Sequence, residues 1–431
     1  MADKDQRPAD VDPLLLAKVF PAAHEVFQFK PKSLDEVFQT AIFVLDTNAL
    51  LVPYSVGKTS LDDIGKRYKD LIDGKRLFVP AHVAREFAHQ RAERIKNLFS
   101  ALSKARNQTR PRTDYSVLLQ MPEYQGLAAA EKDVDNAIAK RDEELDKVLG
   151  RIRSWKWDDP VSDLYRTLFT ADVVVESDLE PDAAKSDAKQ RLDGRVPPGY
   201  RDADKPVNSM GDIFIWHVIL TLGRKRHQSD LVLISGDAKN DWLYRSESTA
   251  LYPRFELTDE YRRASEGGSF NIVTFTDFLR RLEAPATVVD EVQVQEVLSQ
   301  SERPRHHWGF QAETAVARWL INHGYQLQQS DSRRFPDFVA RKDGTVVGIE
   351  VKLVSSKPLW SNKLAEIAAL SGTNPQTYER LEVFFVALEK RHADIAHRSV
   401  RGGALRDSLD RPIEIRVGYL DAHGEFALLE N

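Results

Sequence analysis

The chain has 431 residues, 42% apolar and 29% charged, and no cysteine. Its length predicts two or three domains of globular composition. The missing cysteines exclude a disulfide scaffold, a thiolate zinc site, an iron–sulfur cluster and a cysteine nucleophile, so any metal must be held by carboxylates, histidines or water. The net charge of −5 argues against a polycation that coats nucleic acid.

In chain order, residues 1–35 read as an irregular lead-in with short helices. Its start, MADKDQRPADVDP, is polar and acidic, unlike a signal peptide. The most apolar stretch, Ile213 to Leu222, is about half the roughly 20 residues a bilayer crossing needs, so a cytoplasmic protein is expected. AIFVLDTN carries a buried strand over Ile42 to Leu45 that stops at Asp46. A helix is expected after Ser60, where Ser-Leu-Asp-Asp has the look of a capping box. Leu77 to Pro80 reads as a short strand, and HVAREFAHQRAERIKNLFSAL as the helix after it. From about 128 to 153, Val134, Ile138, Leu145, Val148, Leu149 and Ile152 recur at helical spacing. They predict a long helix in an arm or insertion spanning about 100–175. Residues 176–210 are acidic, then rich in Pro and Gly, and read as a loop. A buried helix over Ile213 to Leu222, the strands LVLIS and NIVTF, and the helix TDFLRRL follow.

Strands alternating with helices over residues 36–285 predict an α/β fold with a doubly wound parallel sheet. Residues 286–304 are polar with proline near both ends and read as a linker that has room for a short helix. Residues 305–431 read as a smaller α/β domain: a helix over Phe310 to Asn322, Pro336-Asp337-Phe338-Val339, the strand VVGIEVKLV, a helix around 361–371 and the strand VFFVAL. Glu350 and Lys352 are two apart on a strand, so their side chains leave on one face.

Asp46 at a strand end is a natural ligand position, because open α/β sheets bind ligands beyond the carboxyl ends of their strands. Glu86, Asp212 and Asp237 occupy comparable places. An oxygen-only set suits Mg²⁺ or Mn²⁺. Two such ions can activate a water and stabilise the leaving oxygen of a phosphodiester. Each acid alone also has a structural reading: Asp46 as a cap or Asx-turn, Glu86 as a partner of neighbouring arginines, Asp212 as an N-cap.

Five motifs in order, LDTNALL, VAREF, PPGYRDADK, GDIFIWHVIL and SGDAKNDWL, resemble the PIN-like ribonuclease superfamily over roughly residues 25–285, and more narrowly its large-insertion branch. The resemblance implies metal-dependent hydrolysis of RNA, or of structured or flapped DNA, without a covalent intermediate. It maps the family acids to Asp46, Glu86, Asp212 and Asp237, with Asp241 as a further acid near the site. Asp202 and Asp204 are ligands of lower rank or order their loop. Asn48 orients Asp46 or holds a water, and Lys239 either meets a phosphate or stays solvated.

Farther on, FQAETAVARWL, HGY, FPDF and GIEVK resemble the PD-(D/E)XK, restriction-endonuclease-like superfamily over about residues 305–390, particularly its Mrr-like and resolvase-like members. On that resemblance Asp337 and Glu350 bind the metal, Lys352 orients or helps deprotonate water, and Glu313 completes the site. The other reading of Glu-x-Lys is an exposed cross-strand pair. RPIEIRVGYL and FALLE have no assigned place in that core.

Together the two sets predict a Mg²⁺- or Mn²⁺-dependent nuclease with two separate active sites. Its partners would be DNA and/or RNA, with no membrane, as a homodimer in prokaryotic defence against phage, alongside other proteins of such a system. Two readings stay open beside it: one domain cuts while the other holds nucleic acid, or the chain is a non-catalytic nucleic-acid-binding scaffold. His306, His307, Trp308, Arg333, Arg334, Lys357, Lys363, Arg380, Trp155 and Trp157 are either nucleic-acid contacts or packing and solvated surface.

Overall fold

A computed structural model describes residues 13–106, 121–202, 210–236, 241–246, 249–299, 307–328, 335–354, 378–401, 413–421 and 423–429. The helices are α1 (Pro13–Val19), α2 (Leu34–Val37), α3 (Thr47–Leu51), α4 (Lys58–Asp73), α5 (Ala81–Arg106), α6 (Pro122–Ser154) and α7 (Pro160–Leu168). They continue as α8 (Pro181–Asp193), α9 (Gly211–Lys225), α10 (Phe255–Ala264), α11 (Phe275–Arg281), α12 (Ala286–Ser299), α13 (His307–Asn322) and α14 (Lys390–Arg401). Among the described residues, no helix is long and apolar enough to cross a membrane. The chain forms two compact units, one of Met1–Ala84 with Thr170–Asn431 and one of Arg85–Phe169.

In the first unit β1 (Ile42–Leu45), β2 (Leu77–Pro80), β3 (Val174–Val175) and β4 (Leu231–Ile234) are followed by the hairpin β5 (Leu243–Ser246) and β6 (Thr249–Pro253), then β7 (Phe270–Val273). One sheet runs β3-β2-β1-β4-β7, with every pairing parallel. All residues of β1, β2 and β4 are buried, which is why each reads as an unbroken apolar run. The chain winds from β1 toward β3, then returns to the other side of β1 for β4 and β7. The crevice of such a sheet opens beyond the carboxyl ends of β1 and β4.

The second sheet runs β13-β12-β11-β10-β9-β8, from β8 (Gln326–Gln328), β9 (Phe338–Lys342), β10 (Thr345–Val354), β11 (Arg380–Ala387), β12 (Ile413–Leu420) and β13 (Phe426–Leu428). β10, β11 and β12 are parallel, and the outer pairings antiparallel. The chain is thus a mixed α/β protein with a parallel first sheet and a separate second one. Within RPIEIRVGYL and FALLE, Ile413–Leu420 and Phe426–Leu428 supply the second sheet's far edge. Val347, Ile349 and Val351 pack under Ala312, Ala315 and Val316 of α13. Val354, Leu381, Val383 and Phe385 pack on the opposite face with Ala393 and Ala396 of α14. The helix expected around 361–371 lies outside the described residues.

Three expectations change. The polar segment 286–304, read as a linker with room for a short helix, is over its described part the 14-residue helix α12, with Val288, Val289, Val292, Val294 and Leu298 buried. Its acids are polar for a reason: Glu291 accepts from Gly57 N at 2.8 Å and Ser60 Oγ at 2.5 Å. That contact also corrects the capping box at Ser60. α4 begins at Lys58, and its first turn is satisfied by a carboxylate 231 residues away. Residues 176–210, read as a loop, contain α8, which has Pro181 in its first turn and Gly194 at its end.

In the second unit the predicted long helix is the 33-residue α6. Phe87 meets Tyr165 edge to face, and Leu149, Ile152 and Val161 are buried. Asp159, fully buried, caps α7 through Ser162 N at 3.0 Å and accepts from Arg91 Nε at 2.9 Å and Nη2 at 2.5 Å. Arg91 in turn lies 4.2 Å over the Trp157 ring. Removing one partner of a buried pair strands the other's charge. Asp159→Ala is therefore expected to destabilise residues 85–169 by about 3–5 kcal/mol, seen as a lower denaturation midpoint and faster limited proteolysis within that unit.

Candidate active sites

The first set centres on the end of β1. Asp46 is the N-cap of α3, its Oδ1 accepting from Thr47 N at 2.6 Å. Its Oδ2 accepts from Ser235 Oγ at 2.6 Å, from the residue that follows β4. Cap and crevice-lining acid are therefore the same residue, held by two elements and half-buried. Asn48, one residue into α3, is exposed. A methyl group on Gly236 would stand 3.5 Å from Asn48 Cβ and 3.7 Å from Glu296 Oε1. α12 thus delivers a carboxylate to the edge where β1 and β4 end. Glu296 is buried and accepts from Phe275 N at 2.8 Å, Thr276 N at 3.1 Å and the Thr276 hydroxyl, capping α11. Burial pushes its carboxyl up to about 7 despite those donors.

Asp212 lies in the first turn of α9, one residue past the first helical position, with Met210 at the cap. Its Oδ2 accepts from Trp242 Nε1 at 3.1 Å. Asp241 is fully buried and accepts from Gly199 N at 2.8 Å. Gly199 has φ +89°, and a Cβ there would stand 2.9 Å from Ile213 Cγ1. Only glycine lets PPGY press against the start of α9. Arg191 of α8 secures the same turn by donating to Pro197 O at 2.8 Å, and is itself held by Asp187 at 2.8 Å and by Glu260. Burial alone would raise Asp187; the hydrogen bond with His217 and the charge of Arg191 outweigh it and hold Asp187 down at about 2.

Glu86 belongs to the second unit, in the second turn of α5, where it accepts from Gln90 Nε2 at 2.9 Å. Asp237, Lys239 and Asp204 lie outside the described residues. Asp202 closes a short 3-10 turn, Tyr200–Asp202.

The second set is more tightly drawn. Ile349 pairs with Phe338, so Glu350 and Asp337 face each other one step further along β10 and β9. Glu350 Oε2 accepts from Asp337 N at 3.0 Å, and Asp337 Oδ2 accepts from Val351 N at 2.7 Å. Glu350 is fully buried, and its Oε1 accepts from Lys352 Nζ. That ion pair is the shared face expected of Glu-x-Lys. Glu313 is buried on α13, the helix over Val347, Ile349 and Val351, which is the sheet face opposite Glu350 and Lys352. Arg380 is taken by the buried Glu382 at 2.8 Å. Arg333, Arg334, Lys357, Lys363 and His306 lie outside the described residues.

Among the described residues, no group of three or more His, Asp or Glu side chains could hold a metal by itself. The donor chemistry nevertheless fits Mg²⁺ or Mn²⁺, which take one or two carboxylates and fill the remaining positions with water and phosphate oxygens. Ser235, Trp242, Gly199, Arg191 and Glu296 escaped the sequence reading. Ser235 alone carried a signal, as the hydroxyl between an apolar strand and Gly-Asp.

Residues 42–257 match the PIN like domain family, and the chain belongs to it. Its N-terminal part therefore has a nuclease-type fold. No curated protein and no solved structure matches the chain.

A carboxyl raised in the folded state stabilises below its unfolded value and loses that contribution as pH rises through its folded value. For Glu296 the window runs from about 4.5 to about 7. Glu296→Gln, which keeps an acceptor for the α11 amides, is expected to flatten the decline in melting temperature across that window relative to wild type.

Proposed function

We propose that this protein is a cytoplasmic, Mg²⁺- or Mn²⁺-dependent nuclease with two chemically independent centres. The observation that carries the reading is the place of Asp46. In a chain of the PIN-like family it stands at the switch point of a parallel sheet, shared between β1 and β4. The family resemblance assigns Asp46, Glu86, Asp212 and Asp237 to the first centre, with Asp241 as a further acid. Asp337 and Glu350 are assigned to the second, a restriction-endonuclease-like centre, from which Glu313, over the opposite sheet face, is left out. A bound divalent ion would supply charge neutralisation at the phosphate and a lowered pKa of water.

The chain's own residues do the rest. Thr47 N and Ser235 Oγ fix the Asp46 carboxylate, and Trp242 Nε1 fixes Asp212, so neither must reorganise when a phosphate arrives. Lys352 offsets phosphate charge and exchanges a proton with water at Nζ, its position set by Glu350. Two nucleolytic centres in one chain suit defence against foreign nucleic acid, acting as a homodimer so that both strands of a duplex can be cut.

The test offers purified protein, with Mg²⁺ or Mn²⁺, single-stranded, duplex and flapped DNA and RNA. Asp46→Ala is expected to abolish one substrate activity, and Glu350→Ala or Lys352→Ala another. Losses of 10²-fold or more are anticipated for groups acting on the reacting phosphate. Cutting that survives all three changes would refute both assignments.

A further inference from the structure

The second sheet carries a strongly charged surface that the two carboxylate sets do not use. α14 reads KRHADIAHRSVR, with Lys390, Arg391, Arg398 and Arg401 against a single acid, Asp394, in a chain of net charge −5. Its inner face is small and apolar: Ala393 and Ala396 are fully buried against Leu381, Val383, Phe385 and Val354. Its outer face exposes Lys390, Arg391, Ile395 and Arg398. Arg391, Ile395 and Arg398 are spaced by four and three residues, so they form one stripe. The two guanidinium-bearing positions stand two turns, roughly 10 Å, apart along the helix axis. Arg391 has a neighbouring carboxylate, Glu389, at 2.6 Å, but that pair is solvent-exposed and weakly held.

The placement of this stripe gives it meaning. Val354 belongs to the α14 side of the sheet, and strand alternation puts Glu350 and Lys352 on that same side. A basic helix and a Glu-x-Lys pair therefore share one face of the second sheet.

We infer that the exposed stripe of α14 docks the phosphate backbone of the nucleic acid engaged at the Glu350–Lys352 centre. The inference rests on the nuclease reading proposed above and adds to it a binding surface. Arginine suits the task, since its planar fork meets phosphate oxygens in pairs. An anionic membrane surface fits less well. The helix's apolar face is already spent on the sheet, which leaves Ile395 as the exposed large apolar side chain among the described residues of the helix.

Binding is measured without divalent metal, in chelator, by fluorescence anisotropy of labelled duplex DNA, single-stranded DNA and RNA. Wild type is compared with Arg391→Glu/Arg398→Glu and with Lys66→Glu/Lys69→Glu, a matched reversal on the exposed face of α4. The α14 variant is expected to bind at least one of the three about tenfold or more weakly, with a log–log salt slope reduced by about 2. The α4 variant is expected to bind as wild type does. Equal losses in both variants would mean a general charge effect and overturn the inference, as would an α14 variant with unchanged affinity and slope. Loss of binding to phosphatidylserine vesicles alone would overturn it in favour of a membrane surface. If wild type cuts with Mg²⁺ and the α14 variant cuts with the same KM, the docking surface fails and the nuclease reading stands. A wild-type chain that neither binds nor cuts ends both.

Discussion

A carboxylate withdrawn from water loses several kcal/mol of hydration unless donors replace it, and the fold is organised around meeting that demand. Asp159, Asp241, Glu296, Glu350 and Glu382 are all buried. Each is met by backbone N–H groups, a cationic side chain or a tyrosine from a different element. The donors fix more than the acid. The Glu350 carboxylate accepts from Asp337 N and the Asp337 carboxylate from Val351 N, so the geometry of the pair and the register of the strands are one specification. Asp241 does the same for PPGY, whose glycine can then lie against the start of α9, where Asp212 stands.

The same demand explains why the two sheets fall in one compact unit. α12 sends Glu291 to the first turn of α4 and Glu296 to the first turn of α11, while Val294 and Leu298 enter the core beneath α13. Helix N-termini present unpaired N–H groups and a partial positive charge, which makes them suitable partners for a displaced carboxylate. A segment that is polar in composition thus serves as a structural tie, its valines facing one side and its glutamates spent on two helix ends.

How much of this was legible follows from the range of each interaction. β1, β2 and β4 were readable because burial on both faces writes itself as a run of apolar residues. α6 was readable because its apolar positions keep a helical period over many turns. Asp46 and the Glu-x-Lys pair were readable as acids at strand ends and at a spacing of two. What stayed hidden was long-range. Nothing near Ser60 announces Glu291, and nothing near Phe275 announces Glu296, because each pair is closed only by the tertiary fold. The Pro-Gly stretch suggested a loop through and through. α8 inside it is held by Arg191, whose partners are Asp187 one turn away and Glu260 far along the chain.

Adjacent strands of the second sheet show how the environment, rather than the residue type, decides what an acid does. Glu382 on β11 pairs in register with Ile349, so it faces α13, while its near neighbour Glu350 faces the other way. Glu382 is clamped by Arg380 at 2.8 Å, Arg416 at 2.9 Å and the Tyr325 hydroxyl at 3.0 Å. Burial and that carboxylate push Tyr325 up to about 12, which keeps it a neutral donor. Two guanidinium forks and a phenol make a closed, permanently charged knot. Glu350 instead accepts from the backbone N–H of Asp337 and from one lysine, whose compact ammonium sits on a flexible stem. Two arginines clamp the acid on one face of the sheet, and a single lysine holds the acid on the other. This difference separates a structural glutamate from a candidate catalytic one a single register position away.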